Sequence, residues 1–270
     1  MTTITGHAEL TRLVRSAAKS SASDSSASDS PASDSSAADE SASDSSAFGS
    51  AAFGSAAFGS AAFGKQASEG NGRLIIGITG SPGAGKTTIA ERLVAELGHD
   101  AQLLSMDGFH LPQARLHELG RRERMGAPDT FDVVGFVATL RKLRGLRESR
   151  ELRGDTGQRE IAIPGFDRDR EEPVPGALII TAATNIVVVE GNYLLLDDPS
   201  TGWNAVAALL DLSFFVRLAD DIRLSRLIAR HERFGKSPAE ARAWAMGPDA
   251  ANAELIDRTA ARADHLLELD

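Results

Sequence analysis

Residues 80–87 read Gly-Ser-Pro-Gly-Ala-Gly-Lys-Thr, which is a complete match to the phosphate-binding pattern G-x-x-x-x-G-K-[ST]. An apolar run at 74–78 precedes this loop and predicts a buried strand. Ile89, Leu93 and Leu97 follow it at helical spacing. A glycine-rich turn between a strand and a helix directs backbone N–H groups toward phosphate oxygens at the helix N-terminus. The sequence therefore predicts a nucleoside triphosphate site and a fold built around it.

The residues of this loop have separate expected roles. Glycine allows the tight wrap of the backbone around the phosphates. We expect Lys86 to reach the β- and γ-phosphates and to take part in catalysis, and the Thr87 hydroxyl to ligate Mg²⁺. The predicted nucleotide contacts in this segment are Gly80, Ser81, Pro82, Gly83, Ala84, Gly85, Lys86, Thr87 and Thr88.

Composition limits the other classes of function. The chain of 270 residues has no cysteine, so it can form neither a disulfide nor a cysteine metal site. Its net charge of -9 argues against a nucleic-acid partner, which would require a broad basic surface. No apolar run reaches the ~18 residues of a membrane span, and the first residues lack the pattern of a signal peptide. We therefore expect a cytoplasmic protein.

The first 70 residues differ in composition from the rest. Apolar residues at helical spacing predict an amphipathic helix within residues 1–19. Alanine then recurs every five residues, first in units rich in Ser and Asp and later in units that contain Phe and Gly. We expect residues 20–70 to be a disordered linker. The linker is either a tether that binds a partner or a repeat tolerated outside the fold, and removal of residues 20–69 is expected to leave activity nearly intact.

Residues 71–270 are predicted to form one α/β domain, in which a mostly parallel sheet is flanked by helices. The predicted strands are 74–78, 102–105, 186–190, 212–217 and 265–269. The predicted helices are 87–97, 133–143, 220–234, 238–246 and 249–260. The mixed Arg, Glu and Gly segment 141–158 is expected to be a solvated loop or a short helix extension.

Two carboxylates lie where predicted strands end. Asp107 follows strand 102–105, and Glu190 ends strand 186–190. Ligands of open α/β sheets bind at the carboxyl ends of the strands, so both side chains are expected to face the γ-phosphate. A carboxylate there can accept a proton from an attacking hydroxyl or hold the Mg²⁺ shell. The structural alternative for Asp107 is a helix cap or a turn residue.

Three motifs in order resemble the uridine kinase, pantothenate kinase and phosphoribulokinase family. They are the loop within residues 77–87, Met-Asp-Gly-Phe-His at 106–110 and Val-Glu-Gly-Asn-Tyr at 189–193. The resemblance covers residues 71–270. It implies a P-loop NTPase fold, ATP and Mg²⁺ as cofactors, and transfer of the γ-phosphoryl group to a hydroxyl of a small molecule, either a nucleoside, a pantothenate-like acid or a sugar. By the same resemblance Asp107 is the general base, and Glu190 organises the metal or the substrate.

Residues 217–231 resemble the lid of that family, and we call them the lid segment. Arg223, Arg226, Arg230 and Arg233 recur every three or four residues, which places several guanidiniums on one helical face. Guanidiniums suit bidentate phosphate binding. Arg226 and Arg230 are the predicted ATP contacts, with Arg226 also catalytic, and a solvated basic face is the alternative.

The acceptor site is expected to involve two loops and the strand ends. The predicted contacts are Phe109, His110, Arg124, Asp132, Phe166, Arg168, Glu190 and Tyr193. Relatives often have a tyrosine and a histidine where this chain has Phe166 and Arg168. This departure indicates either an acceptor with a carboxylate or phosphate, or pairing of Arg168 with Asp132 or Glu171. For His110 and Tyr193, packing is an equal alternative.

Three further positions and a second class of function complete the expectations. Asp249 suits the cap of the helix that begins there, and Asn252 and Asp264 match positions of the family near the adenine end. The alternative to a kinase is a nucleotide-dependent regulatory module without a small-molecule acceptor, whose Phe-Gly repeat recruits a partner. A homo-oligomer is compatible with either.

Overall fold

The structure, a computed structural model, describes residues 1–23, 73–153, 160–181 and 183–269. The predicted disordered repeat therefore lies outside the described residues, except that residues 20–23 end the first helix. In the part of the chain that the structure describes, no helix has the length and apolar character needed to cross a membrane.

The central sheet consists of six parallel strands: β1 (Thr2–Thr5), β2 (Leu74–Gly80), β3 (Ala101–Ser105), β6 (Ile186–Glu190), β7 (Leu212–Arg217) and β8 (His265–Glu268). Their order across the sheet is β1-β8-β7-β2-β6-β3. The mostly parallel sheet predicted from the sequence is confirmed. The predicted strands begin and end within two residues of the observed ones, because parallel strands buried on both faces read as continuous apolar runs.

Seven α-helices surround the sheet in the described residues. They are α1 (His7–Ser23), α2 (Lys86–Leu97), α3 (Gln113–Glu118), α4 (Val133–Arg153), α5 (Asp220–Arg233), α6 (Pro238–Met246) and α7 (Pro248–Asp257). Of the two expectations for residues 141–158, the helix extension is observed as far as Arg153, and residues 154–159 are not described.

Three elements are absent from the sequence-based prediction: β1, α3 and an antiparallel hairpin of β4 (Ile161–Asp167) and β5 (Glu172–Ile180). The hairpin contains Pro164, Pro173 and Pro175, and proline within a run normally argues against a strand. It is a separate two-stranded sheet with a register irregularity beside Pro164, which accommodates these prolines outside the main sheet.

Two hydrophobic clusters cover the two faces of the sheet, because alternate residues of each strand point to opposite sides. On β2, Ile75 belongs to the cluster with Phe136, Tyr193 and Trp203, while Ile76 belongs to the cluster with helices α1 and α2. The N-terminal segment is part of this second layer. Its strand β1 pairs with β8, and Thr11 of α1 donates a hydrogen bond to Glu96 of α2 at 2.7 Å.

Candidate active site

The phosphate-binding loop connects β2 to α2 and has backbone angles that favour glycine. Gly83 and Gly85 have φ of 82° and 93°, in the left-handed region that residues with a Cβ rarely adopt. A Cβ on Gly83 would lie 2.9 Å from the carbonyl oxygen of Arg223. The lid segment therefore packs directly against the loop, and only glycine allows that approach.

Lys86 lies in the first turn of α2 and is 7% exposed. Its Nζ donates a hydrogen bond to the carbonyl oxygen of Ser81 at 3.0 Å. Burial lowers the pKa of Lys86 to about 8, although the carboxylates of Glu190 and Asp107 act in the opposite direction. A buried ammonium inside a glycine loop suits an anionic ligand such as a phosphate, whose charge would replace the lost solvation.

Glu190 ends β6 and is 3% exposed. Its carboxylate accepts hydrogen bonds from Ser105 at 2.5 Å and from Thr87 at 3.3 Å. Burial raises the pKa of Glu190, and the charge of Asp107 raises it further. The carboxylate and the two hydroxyls form a set of oxygen donors beside the loop, which is the donor type that Mg²⁺ prefers. The two residues predicted to serve the metal, Thr87 and Glu190, are thus in contact.

Asp107 lies in a short turn, Met106–Phe109, immediately after β3. Burial raises its pKa, but the charges of His110, Arg168, Arg230 and Lys86 outweigh burial and hold the pKa below its usual value. Of the two neighbouring carboxyl groups, Asp107 is therefore the one that ionises first. The cap of this turn is the Ser105 hydroxyl, which accepts a hydrogen bond from the backbone N–H of Asp107 at 3.3 Å.

The turn of Asp107 is held by close backbone packing. A Cβ on Gly108 would overlap the carbonyl oxygen of Pro164 on β4. Glycine at this position therefore allows the hairpin to approach the turn. This contact brings Arg168, just after β4, within 2.9 Å of the Asp107 carboxylate. Of the two alternatives for Arg168, pairing with Asp132 or Glu171 is not observed, since Arg168 pairs with Asp107 and Glu171 pairs with Arg122.

An inner cavity of about 140 Å³ opens beside Asp107. His110 lies between two rings at its wall, with centroid distances of 4.0 Å to Phe131 and 4.8 Å to Phe166. Its Nδ1 is 2.8 Å from the carbonyl oxygen of Asp107, and burial lowers its pKa. Other residues at the wall are Pro82, Arg168, Asn192, Arg230, Trp244 and Asn252. The structure thus brings together His110, Phe166 and Arg168 as the sequence predicts.

Three predicted acceptor contacts have other partners. Phe109 is buried and packs edge-on against Phe136 at 5.0 Å. The Arg124 guanidinium pairs with Asp129 at 2.5 Å, at the surface. The Asp132 carboxylate accepts a hydrogen bond from the third residue of α4 at 2.9 Å, so it caps that helix. These contacts assign the three side chains to structure rather than to the cavity wall.

Tyr193 is fully buried, and its hydroxyl donates a hydrogen bond to the carbonyl oxygen of Gly126 at 2.6 Å. Burial raises the pKa of this hydroxyl well above its usual range. Of the two alternatives for Tyr193, these contacts favour packing. The residue supports the loop of Gly126, which itself lies at the wall of the inner cavity.

The lid arginines face different regions. Arg223 donates to the carbonyl oxygen of Pro82 at 3.4 Å. The guanidinium of Arg226 lies 3.7 Å from the point where a Cβ on Gly85 would be, beside the phosphate-binding loop. Arg230 lines the inner cavity. Of the two predicted ATP contacts, Arg226 therefore lies next to the phosphate-binding loop and Arg230 lies at the same cavity as Asp107. Their role in phosphate binding stays a prediction.

Several residues at the inner cavity were missed by sequence reasoning. Arg122, Lys236 and Trp244 come from three separate segments that no local motif marks, and Asn192 lies within the motif at 189–193 without a predicted role of its own. A lone lysine in a turn or a lone tryptophan in a polar helix carries no signal of its own. Only the fold brings these side chains together.

The expectation that Asp249 caps its helix is wrong. Asp249 does not cap α7, whose N-cap is Gly247, but pairs with His231 of the lid segment at 2.7 Å. Asn252 lies at the inner cavity, and the expected roles of Asn252 and Asp264 near the adenine end stay predictions. Asp264 accepts hydrogen bonds from the backbone and the hydroxyl of Ser213, and so ties β8 to β7.

Comparison with known proteins agrees with this architecture. The model of the phosphoribulokinase / uridine kinase family matches residues 75–264. An uncharacterized Escherichia coli protein, YggC, is 32% identical over 202 residues, which cover 73% of this chain and 78% of the relative. A uridine kinase from Leuconostoc citreum is 34% identical over 163 residues, or 58% of this chain and 68% of the relative. Among solved structures, a candidate fructose transport system kinase from Silicibacter sp. TM1040 is 33% identical and has a TM-score of 0.63, with coverage of 72% of this chain and 89% of that chain.

Proposed function

The chain belongs to the phosphoribulokinase / uridine kinase family, and we propose that it transfers the γ-phosphoryl group of ATP to a hydroxyl of a small molecule. One observation carries this proposal. Asp107 lies at the wall of the inner cavity and also close enough to the buried Lys86 of the glycine loop to raise the pKa of that lysine against the effect of burial. A phosphate donor and a hydroxyl acceptor can therefore occupy adjacent sites on the two sides of this group.

The electrostatics of Asp107 support its role as the base. Its pKa lies below the usual value despite burial, because the surrounding cations favour the charged form. An ionised carboxylate at neutral pH can accept the proton of the acceptor hydroxyl as the new O–P bond forms. The bond between the γ-phosphorus and its bridging oxygen breaks, and ADP leaves. Phosphoryl transfer of this kind depends mainly on positioning and charge stabilisation.

The other residues of the site have roles that follow from their positions. In this proposal Lys86 binds the β- and γ-phosphates, and Arg226 binds phosphate from the lid side. Thr87 and Glu190 would hold Mg²⁺, which when bound neutralises charge on the phosphate oxygens. Ser105 orients Glu190 through their hydrogen bond of 2.5 Å. His110 and Phe166 would form the flat walls against which the acceptor lies.

We also propose that the acceptor is a small molecule and that the chain has no nucleic-acid partner. The small inner cavity supports the first statement and the acidic net charge supports the second. A cytoplasmic location remains our proposal.

The proposal is tested by measuring ADP release from Mg-ATP with a panel of nucleosides, pantothenate, sugars, sugar phosphates and hydroxy acids. We expect release that depends on one class of acceptor, with a phosphorylated product seen by mass spectrometry. ATP binding by calorimetry without acceptor-dependent release across the panel would contradict the proposal.

A further inference from the structure

A second, larger cavity of about 950 Å³ lies outside the inner one, between the hairpin end and helix α6. Six residues line both cavities and form what we call the neck: Arg122, Arg168, Glu171, Phe234, Lys236 and Trp244. The neck thus carries three cations, one carboxylate and two aromatic rings. An excess of positive charge at the entrance of a substrate cavity favours anionic ligands.

We propose that the neck binds an anionic group, a carboxylate or a phosphate, on the same molecule whose hydroxyl faces Asp107. This inference rests on the proposed kinase function. It specifies the acceptor as a small anionic alcohol rather than a neutral nucleoside or sugar.

Arg168 has hydrogen-bond donors available to an anion. Its Nη2 is 2.9 Å from the Asp107 carboxylate, and its side chain is 40% exposed toward the cavities. A guanidinium has five N–H donors in a planar fork, so the Asp107 contact leaves other donors for a ligand. An anion that bridges to Arg168 would also compete with Asp107 for this guanidinium. Binding of such an acceptor would then free the Asp107 carboxylate from Arg168, so that it can accept the proton of the acceptor hydroxyl.

Lys236 supports the proposal independently. It lies in the turn between α5 and α6, with its Nζ 4.6 Å from the centre of the Trp244 ring. Among the described residues, no carboxylate lies within 4.0 Å of this ammonium, whereas the two arginines of the neck each have a carboxylate partner. Together with the hydrogen bonds from Ser237, the charge of Lys236 helps to lower the pKa of the Glu240 carboxyl, but an ammonium held over a ring and in no ion pair within 4.0 Å can contact an anionic ligand.

Geometry limits the size of the acceptor. Three hydrogen bonds of ~2.9 Å each connect the hydroxyl of the acceptor to its anionic group: hydroxyl to Asp107, Asp107 to Arg168, and Arg168 to the anion. The distance between the two groups is therefore on the order of 10 Å or less. Short hydroxy acids and sugar phosphates satisfy this limit. The aromatic rings of Phe234 and Trp244 would cover the carbon chain between the two groups.

The experiment compares anionic acceptors with neutral analogues of the same skeleton. The pairs are glycerate with glycerol, ribulose 5-phosphate with ribulose, pantothenate with panthenol, and uridine monophosphate with uridine. ADP release gives kcat/KM for each compound with the wild type and with Arg168→Gln, Lys236→Gln and Arg168→Lys. Arg115→Gln is the control, because Arg115 is exposed and pairs with Glu118 outside both cavities. Thermal unfolding confirms that each variant is folded.

We expect the wild type to prefer the anionic member of at least one pair. Arg168→Gln and Lys236→Gln should each lower kcat/KM for that anion by ~10- to 100-fold, mainly through KM, since each removes a charged hydrogen bond. Neutral analogues that react should change much less. Arg168→Lys should recover part of the loss, because it keeps the charge but not the planar fork. The control should match the wild type.

Several outcomes would overturn the inference while leaving the kinase function intact. One is a wild type that prefers the neutral members. Another is an equal loss for both members in the Arg168 and Lys236 variants, which would assign the two cations to ATP phosphate. A third is an unchanged KM for the anion in both variants. Absence of ADP release with every compound of the wider panel would instead contradict the proposed function itself.

Discussion

Replacing Lys86 by methionine is expected to stabilise the ligand-free protein and to abolish nucleotide binding. Lys86 is 7% exposed, and burial lowers its pKa from 10.5 to about 8. A difference of about 2.5 pKa units corresponds to ~3 kcal/mol, the cost of keeping the ammonium charged in the folded state at neutral pH. Methionine fills similar space without a charge, so it avoids that cost.

Part of this gain is offset by lost contacts. The substitution removes the hydrogen bond from Nζ to the carbonyl oxygen of Ser81 at 3.0 Å, which contributes ~1 kcal/mol. We therefore expect the free energy of unfolding of Lys86→Met to exceed that of the wild type by ~2 kcal/mol at pH 7. The increase is expected because burial of the ammonium costs more than its hydrogen bond to Ser81 contributes.

The stability difference between Lys86→Met and the wild type should depend on pH. Below pH 8 Lys86 is protonated in both the folded and the unfolded state, and the full cost is present. Between pH 8 and 10.5 the unfolded chain holds a proton that the folded protein has lost, so the wild type gains stability with rising pH. The difference between the variant and the wild type should therefore shrink across this window and be nearly absent by about pH 10.

Urea unfolding at pH 7 and pH 10 measures this difference, with the exposed Lys142→Met as the matched control. The control should stay within ~0.5 kcal/mol of the wild type at both pH values. Mg-ATP should raise the melting temperature of the wild type but not that of Lys86→Met. If Lys86→Met is no more stable than the wild type at pH 7, or if the stability difference does not change with pH, then burial of the Lys86 ammonium does not destabilise the folded protein.

Three further substitutions test the supports of the site. Ser105→Ala removes a hydrogen bond that lowers the pKa of Glu190, so the Mg²⁺ concentration needed for half-maximal ADP release at pH 7 should rise ~10-fold; an unchanged Mg²⁺ dependence would contradict this. Tyr193→Phe should lower the free energy of unfolding by ~1 kcal/mol in urea with kcat unchanged, because only a buried hydroxyl contact is lost; a loss of kcat instead would assign the hydroxyl to the reaction. Gly108→Ala places a methyl group against the backbone of Pro164 and should lower stability by ~1–3 kcal/mol in urea and kcat/KM by more than tenfold; a variant with normal values would show that the turn has room.

The sequence predicts most of the sheet and the phosphate-binding loop because these features are local. The loop is defined by eight consecutive residues, and strands such as β6 are unbroken apolar runs. Asp107 and Glu190 could be placed from the same logic, since each follows a strand and parallel strands end at one edge. The structure brings the two residues close together, since the hydroxyl of Ser105 forms hydrogen bonds with both.

The acceptor side is harder to predict because tertiary contacts define it. The hairpin of β4 and β5 is concealed by its prolines, and its position depends on Gly108. Arg168 could have paired with any nearby carboxylate, and only the packing of the hairpin on the turn selects Asp107. Arg124 matches a binding role in sequence as well as Arg122 does, yet only Arg122 lies at the inner cavity. Such choices depend on where the backbone places each side chain.

The most direct test of the proposed function is acceptor-dependent ADP release by Asp107→Asn, measured with the best acceptor of the panel and beside the exposed control Asp197→Asn. Asparagine keeps the shape of the side chain but cannot accept the proton. We expect Asp107→Asn to bind Mg-ATP as the wild type does and to lose at least ~100-fold in acceptor-dependent turnover, while the control is unaffected. Turnover of Asp107→Asn at the wild-type rate would contradict the assignment of the base.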